Sequence, residues 1–113
     1  MSEPTARDLI SRMESVFVPE NAEGVNKIIQ FDLVGEGGGI WSACINDGAC
    51  TIKEEPTEEA DVTLKMEPEH FVSLVRGKLN PAMAFMGGKL KLRGDMMLAQ
   101  KLSKYFNLKG LDT

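Results

Sequence analysis

The feature that most constrains the fold is a series of short segments in which apolar and polar residues alternate. Residues 25–34 alternate in this way, which is typical of a strand with one buried face. A glycine-rich stretch at residues 35–39 ends that segment, and residues 40–45 and 49–53 resume a strand-like pattern on either side of an Asn-Asp-Gly turn. These segments predict three neighbouring strands joined by hairpins.

The rest of the chain predicts four helices and two further strands. Thr5 and Asp8 form an N-cap pair for a helix that ends before Pro19, and Asn80 caps a short helix with Pro81 at its first position. After the hairpins, the predicted elements are a strand at residues 61–66, a helix from Pro68 to Gly77, a helix at 81–86, a strand at 89–93 and a helix at 96–106. The predicted order is α-β-β-β-β-α-α-β-α.

This order predicts an α+β fold with a five-stranded, mainly antiparallel sheet that helices cover on one face. No repeat or long linker divides the chain, so we expect residues 1–113 to form a single domain. The other face of the sheet is expected to meet solvent and to carry Lys89, Lys91 and Arg93.

Charge is distributed unevenly along the 113 residues, whose formal net charge is −4. Residues 1–70 hold five Lys/Arg and fifteen Asp/Glu, a balance of −10, whereas residues 71–113 hold eight Lys/Arg and two Asp/Glu, a balance of +6. A basic C-terminal part suits a solvated face, transient contact with a membrane surface or an acidic partner enzyme. The acidic whole, with no aromatic residues interleaved among the basic ones, argues against nucleic acid.

Neither end of the sequence shows a targeting signal. The first four residues lack the basic and apolar regions of a secretory signal, and no apolar run approaches the roughly 20 residues that span a membrane. The last three residues do not form a peroxisomal address of the Ser-Lys-Leu type. Two cysteines fit a reducing compartment. We therefore expect a cytoplasmic location.

The sequence does not present a catalytic, metal or cofactor site. His70 is the single histidine and has no second histidine or cysteine at ligand spacing. Cys44 and Cys50 flank the Asn-Asp-Gly turn and are predicted to lie opposite each other, where they would pair if oxidised, although inert packing is the commoner outcome. We therefore expect a protein that is not an enzyme; a thioesterase using His70 or a cysteine is a distant alternative.

Soft apolar residues are abundant in the predicted helices. Two interpretations remain open from composition alone: a cavity for a flexible hydrophobic ligand, or an ordinary core. The residues concerned are Met66, Met83, Met86, Met96, Met97, Trp41, Phe71, Phe85 and Phe106.

A set of motifs identifies a more specific similarity that covers nearly the whole chain. The motifs are Ala-Asp-Val-Thr-Leu at residues 60–64, Phe71, Gly-Lys-Leu-Asn-Pro at 77–81, the run at 84–95 and Ala-Gln-Lys-Leu at 99–102, with looser matches at 31–33, Trp41 and 47–48. This set closely resembles the sterol carrier protein 2 domain. The resemblance implies a hydrophobic tunnel between the sheet and the helices. It also implies non-enzymatic binding and intracellular transfer of fatty acids, fatty acyl-CoA, sterols or other lipids.

The resemblance also implies ligand-binding residues. Trp41 falls at a strand aromatic position near the ligand, and Gln100 at a polar position of the last helix; Ala82 stands where some relatives have glutamine. The predicted lining of the tunnel is Trp41, Phe71, Leu74, Met83, Met86, Met97, Gln100, Leu102 and Phe106. The last helix is predicted to act as a lid, followed by a loosely held segment at residues 107–113.

A second interpretation uses the same cavity differently. The domain would act as an accessory module that presents a lipid or an isoprenoid quinone precursor to a biosynthetic enzyme. In both interpretations the partner is a hydrophobic small molecule, and no cofactor is predicted.

Overall fold

The computed structural model of the protein describes residues 5–76 and 78–107. The helices are α1 (Ala6–Arg12), α2 (Pro68–Val75), α3 (Pro81–Met86), α4 (Met96–Gln100) and α5 (Leu102–Tyr105); the strands are β1 (Asn26–Leu33), β2 (Gly39–Asn46), β3 (Ala49–Lys53), β4 (Val62–Met66) and β5 (Leu90–Gly94). Two 3-10 turns, Met13–Val16 and Pro19–Asn21, follow α1. Gly77, where α2 was predicted to end, and residues 108–113 of the predicted loose segment lie outside the described residues.

The five strands form one sheet in the order β3-β2-β1-β4-β5. The pairs β1–β2 and β2–β3 are antiparallel, as predicted; β4–β5 is also antiparallel, whereas β1 and β4 are parallel. The chain therefore leaves the edge strand β3, crosses over β2 and β1, and returns as β4 on the far side of β1. The predicted α+β class and five-stranded, mainly antiparallel sheet are confirmed. The parallel pairing of β1 with β4 was not predicted.

Asp61, at the end of the crossover, joins three strands of the sheet. Its carboxylate Oδ2 accepts a hydrogen bond from the Ile28 N–H at 2.8 Å, and its own N–H donates to the Ile28 carbonyl at 2.8 Å. Its carbonyl accepts from the Asp95 N–H at 2.8 Å. The start of β1 is thus held close to the segment that follows β5.

The crossover at residues 54–61 corrects the expectation of a fully solvated outer face. Within it, the Thr57 N–H donates to Gln30 Oε1 at 2.9 Å, so the loop lies over the centre of that face. The parts of this face toward β5 and β3 agree with the expectation, since Lys91 and Arg93 on one side and Thr51 and Lys53 on the other are exposed.

The helices cover the opposite face and enclose one core. The Phe71 ring of α2 packs edge-on against Phe31 of β1, with ring centroids 5.9 Å apart. The buried residues that line this core from the sheet are Ile29, Phe31, Leu33, Trp41, Ala43, Ile45, Val62, Leu64, Met66 and Leu90. No helix of the described residues is long and apolar enough to cross a bilayer.

Both terminal helices are shorter than the sequence pattern predicts. The Thr5–Asp8 capping box is present, but regular α-helix ends at Arg12 and tightens into a 3-10 turn. The predicted helix at 96–106 divides at Lys101 into α4 and α5. After α5, Phe106 forms an isolated antiparallel bridge with Phe17, so this segment lies beside the one that follows α1.

The register of the β2–β3 hairpin corrects the predicted relation of the two cysteines. Asn46 pairs with Ala49, so the loop has two residues, and Cys50 lies opposite Ile45 rather than Cys44. Because neighbouring residues of a strand point to opposite faces, Cys44 lies on the outer face and Cys50 faces the helices. The prediction that they lie opposite each other is wrong, and both are free thiols.

Candidate ligand-binding site

An open cavity of about 390 Å³ lies between the start of β1 and α4. This volume is within the range typical of small-molecule sites. Its lining combines apolar with polar or charged side chains in nearly equal measure. The lining residues are Gly24, Val25, Asn26, Lys27, Asp95, Met97, Leu98, Lys101 and Tyr105.

Hydrogen bonds through Asp61 explain why two distant segments form one cavity. The backbone pairing of Ile28 with Asp61, and of Asp61 with Asp95, places residues 24–27 beside the start of α4. Asp95 then caps α4, since its carboxylate accepts from the N–H groups of Met97 and Leu98 at 3.0 and 3.1 Å. The orientation of α4 is therefore fixed at its first turn.

Burial differs sharply between the inner wall and the rim of this cavity. Leu98 and Tyr105 are 3% and 6% exposed and belong to the core, whereas Met97 is 63% exposed. An unbranched methionine at a rim can change rotamer without disturbing the core. Met97 is consequently suited to open or close the entrance.

The charge at the rim favours an anion. Lys27 is half-buried and Lys101 is exposed, and neither forms an ion pair within residues 5–76 and 78–107. The Asp95 carboxylate already accepts two backbone N–H groups of α4. A carboxylate or phosphate beside an apolar chain would therefore meet two available ammonium groups at the rim.

Of the nine residues predicted from sequence to line a tunnel, this cavity includes Met97. Trp41, Phe71 and Phe106 are core residues, and Leu74 and Leu102 pack at its margin. The Trp41 ring also lies under the Arg7 guanidinium, 5.2 Å from its carbon. These five residues lie in or against the core between the sheet and the helices and do not line this cavity. Their predicted contact with a ligand stays a prediction.

Met83 and Met86, which are 70% and 85% exposed, do not have the predicted inward orientation. Met97 is 63% exposed and lies at the rim of the cavity, and Gln100 is exposed, so the ligand contacts predicted for these two residues stay predictions. On the short helix α3, Ala84 is the residue that reaches the core. The predicted inward orientation is therefore wrong for Met83 and Met86. The cavity opens to solvent, so the enclosed tunnel stays a prediction.

Sequence reasoning missed most of the cavity. Leu98 and Tyr105 belong to the apolar pattern of the last helix, which is a usable signal. Val25 and Lys27 carry no such signal, because their position beside α4 depends on the parallel β1–β4 pair.

A second cavity, of about 320 Å³, lies on the outer face of the sheet under the crossover. The sheet separates it from the helix-covered side. Its lining residues are Ile28, Ser42, Cys44, Thr51, Lys53, Glu55, Pro56 and Thr57.

His70 lies at the first turns of α2, away from both cavities. Its Nδ1 is 3.7 Å from a carboxylate oxygen of Glu67. Glu67, Glu69 and His70 bring three ligand atoms within 4.8 Å of one another, but exposed carboxylates are common without a metal, so the group carries no assignment.

The two cysteines should differ in reactivity. Burial, together with the Glu14 carboxylate, raises the pKa of the Cys50 thiol from 9.0 to about 12, so it stays protonated and unreactive at pH 8. Cys44 is exposed. Iodoacetamide at pH 8 should label Cys44 in the folded protein and Cys50 only after unfolding. Peptide mapping checks this, and comparable native labelling of Cys50 would contradict the buried orientation.

Comparison with known proteins agrees with this architecture. The SCP-2 sterol transfer family model matches residues 8–107. Hydroxysteroid dehydrogenase-like protein 2 of Danio rerio is 39% identical over 108 residues, which is 91% of this chain and 26% of that protein. The chain thus spans about a quarter of the length of this curated relative.

Two solved structures have the same fold. The palmitated SCP2L2 of Aedes aegypti has a TM-score of 0.68 at 22% identity and covers 85% of this chain and 88% of that one. A UbiJ-SCP2 ubiquinone synthesis protein has a TM-score of 0.68 at 15% identity and covers 91% and 93%. The family match, which includes every strand of the sheet, confirms the resemblance seen in the sequence: the chain belongs to the SCP-2 sterol transfer family.

Proposed function

We propose that the protein binds single-chain amphiphiles with an anionic head, such as fatty acids or fatty acyl-CoA, and transfers them without catalysis in the cytoplasm. The observation that carries the proposal is the cavity beside α4, which combines the apolar side chains of Met97 and Leu98 with two lysines that form no ion pair among the described residues. The name of the palmitated Aedes protein of the same fold supports a fatty acid as the first ligand to test.

Affinity would come from burial of the aliphatic chain. Each methylene that leaves water contributes about 0.8 kcal/mol, whereas association and ordering cost at least about 4 kcal/mol. Several methylenes must therefore enter before binding is favourable. An aliphatic chain longer than the observed cavity could enter only if α4 and α5 moved away from β1. This movement corresponds to the lid role predicted for the last helix.

The arrangement of the elements favours movement of α4 and α5 over movement of the sheet. The helices α4 and α5 are short and meet at Lys101, and the α4 side of the cavity carries an exposed methionine. By contrast, the wall at Val25 belongs to the segment that leads directly into β1. Release of ligand would accordingly follow displacement of α4.

Met97→Trp should weaken binding of hexadecanoate at least about tenfold, because the larger ring fills the entrance of the cavity. Both Met96 and Met97 are exposed residues of α4, 46% and 63% respectively, but Met96 does not line the cavity. Met96→Trp is thus the matched control and should bind like the parent. Native mass spectrometry with isothermal titration measures both. Equal hexadecanoate affinities of the two variants would contradict binding in this cavity.

The same titration tests the anionic head. Lys101 lines the cavity and Lys104, one helical turn away, does not. Lys101→Glu should weaken hexadecanoate binding by about fivefold, the equivalent of about 1 kcal/mol for a partly exposed ion pair. Hexadecanol binding should be unchanged, as should hexadecanoate binding by Lys104→Glu. A loss of both ligands by Lys101→Glu would contradict a role in head-group recognition.

A second candidate function is presentation of a lipid or quinone precursor to a biosynthetic enzyme. It is favoured by the relatives, in which the matching region is one part of a longer protein, and by the neighbour named as a ubiquinone synthesis protein. Unaided exchange of hexadecanoate between vesicles favours the carrier. Exchange that requires a stable enzyme complex favours presentation.

A further inference from the structure

The cavity on the outer face of the sheet is not used by the proposed function. Its volume of about 320 Å³ is within the range typical of small-molecule sites. The strands β1, β2 and β3 form its floor, and Glu55, Pro56 and Thr57 of the crossover form one side. Because the sheet separates this cavity from the one beside α4, a molecule bound here would be independent of the proposed lipid.

Ser42 is the first indication of a ligand in this cavity. It is only 9% exposed and lines the cavity, and its neighbours Trp41 and Ala43 face the core, so its hydroxyl points to the outer face. Within residues 5–76 and 78–107, no group forms a hydrogen bond with this hydroxyl. A hydroxyl buried this deeply normally has a hydrogen-bond partner, which a molecule in the cavity would supply.

Cys44 adds a nucleophile to the same cavity. It lies opposite Thr51 of β3 and Ile28 of β1, and its exposed side chain shares the outer face with Ser42. Cys50, the other cysteine of the chain, faces the helices and does not line this cavity. Since the two thiols lie on opposite faces, Cys50 cannot attack a disulfide formed at Cys44. A mixed disulfide at Cys44 would therefore persist and would not convert into an internal disulfide.

Charged groups beside Cys44 match the amino-acid end of a small molecule. Lys53, opposite Ser42 in the β2–β3 register, and Glu55 of the crossover both line the cavity. Both are exposed, and neither forms an ion pair with another described residue. An ammonium and a carboxylate in one cavity complement the α-carboxylate and α-ammonium groups of a zwitterion. A fatty acid or a phosphate has no ammonium group to pair with Glu55.

We propose that Cys44 is a modification site that forms a mixed disulfide with a small thiol ending in an amino-acid group, as glutathione does. The Cys44 thiolate attacks one sulfur of glutathione disulfide, so a Cys44–glutathione bond forms while the S–S bond of the reagent breaks. Cys44 is oxidised, and the departing glutathione is reduced and takes up the proton that the thiol lost. Lys53 and Glu55 would hold the zwitterionic end, and the Ser42 hydroxyl would donate to a peptide carbonyl.

The first test is incubation of the full chain with glutathione disulfide, followed by intact mass spectrometry and peptide mapping. One glutathionyl group should appear on Cys44 and none on Cys50, and Cys44→Ser should abolish the adduct. Comparable modification of Cys50, or a disulfide-linked pair of chains as the main product, would overturn the proposal.

Reaction rates with two disulfides distinguish recognition from mere exposure of the thiol. Hydroxyethyl disulfide is uncharged, so the ratio of the glutathione disulfide rate to the hydroxyethyl disulfide rate cancels changes in the thiol itself. Lys53→Gln should lower this ratio about threefold, as for an exposed ion pair, and Ser42→Ala about fivefold, as for one hydrogen bond.

Lys91→Gln is the matched control for these rates. Lys91 is also exposed on the outer face, but it lies on the opposite edge strand β5 and does not line the cavity. Its substitution should leave the ratio unchanged. An unchanged ratio in Lys53→Gln or Ser42→Ala, or an equal loss in Lys91→Gln, would show that Cys44 is an exposed thiol without a binding site.

Discussion

Phe106→Ala is expected to lower the free energy of unfolding by about 3–5 kcal/mol, the range for removing a large buried aromatic side chain. Phe106 is fully buried, and its ring centroid lies 5.5 Å from that of Phe17. The neighbouring backbone adds hydrogen bonds at 2.8 Å from Val18 to Tyr105 and from Asn107 to Val16. The substitution thus leaves a cavity where the segment after α5 packs against the segment after α1.

A loss of this size is a large part of the stability of a small domain, which is typically about 5–15 kcal/mol. Urea denaturation followed by circular dichroism measures it. Phe85→Ala removes the same side chain from a 43% exposed position and should change stability by no more than about 1 kcal/mol. Equal stability of the two variants would contradict the burial of Phe106 in the core.

The same variant also tests the ligand role predicted for Phe106 from sequence. Phe106 does not line the cavity beside α4, so hexadecanoate affinity, measured where the variant is folded, should fall less than in Met97→Trp. A greater loss would indicate that the ligand reaches deeper into the core, along the tunnel that the family resemblance implies.

Gly94→Ala is the second substitution with a large expected effect, about 2–6 kcal/mol from backbone strain and steric overlap together. Gly94 ends β5 with φ +105°, a conformation that residues with a Cβ rarely adopt. A Cβ there would lie 2.3 Å from the Asp61 carbonyl oxygen. That carbonyl accepts the Asp95 hydrogen bond, so the strain would act directly on the wall of the cavity.

Gly88→Ala supplies the control for Gly94. Gly88 also has positive φ, +77°, but a Cβ there would have no atom within 4 Å. Only the conformational cost of about 1–2 kcal/mol is therefore expected. Thermal and urea unfolding should rank the parent first, Gly88→Ala second and Gly94→Ala last. The reverse order of the two variants would contradict the close approach of Gly94 to Asp61.

Local patterns in the sequence predict most of the elements but little of how they are placed. Alternation identifies the strands, and the Thr5, Asn80 and Asp95 caps identify helix starts, because each depends on residues near one another in the chain. The parallel β1–β4 pair depends on Asp61 meeting Ile28, which no local pattern encodes. The sheet was thus predicted as mainly antiparallel without its central crossover.

The candidate site was predictable to a smaller extent for the same reason. Met97 belongs to the soft apolar pattern of the last helix, which the sequence shows, whereas Lys27 belongs to a strand distant in sequence. The inward orientation of Met83 and Met86 failed because α3 is too short to give a distinct apolar face. A buried alanine, rather than the large side chains, anchors it.

The parallel pairing of β1 with β4 also determines when the site can form. Hairpins between β1, β2 and β3 close short loops, while β4 can join β1 only after the intervening chain has been brought back, which is slower. The cavity requires residues from Gly24 to Tyr105, so it is completed with the last elements of the chain. During synthesis, the strands β1, β2 and β3 would accordingly pair first. The proposed ligand could enter this cavity only once nearly all of residues 24–105 had been synthesised.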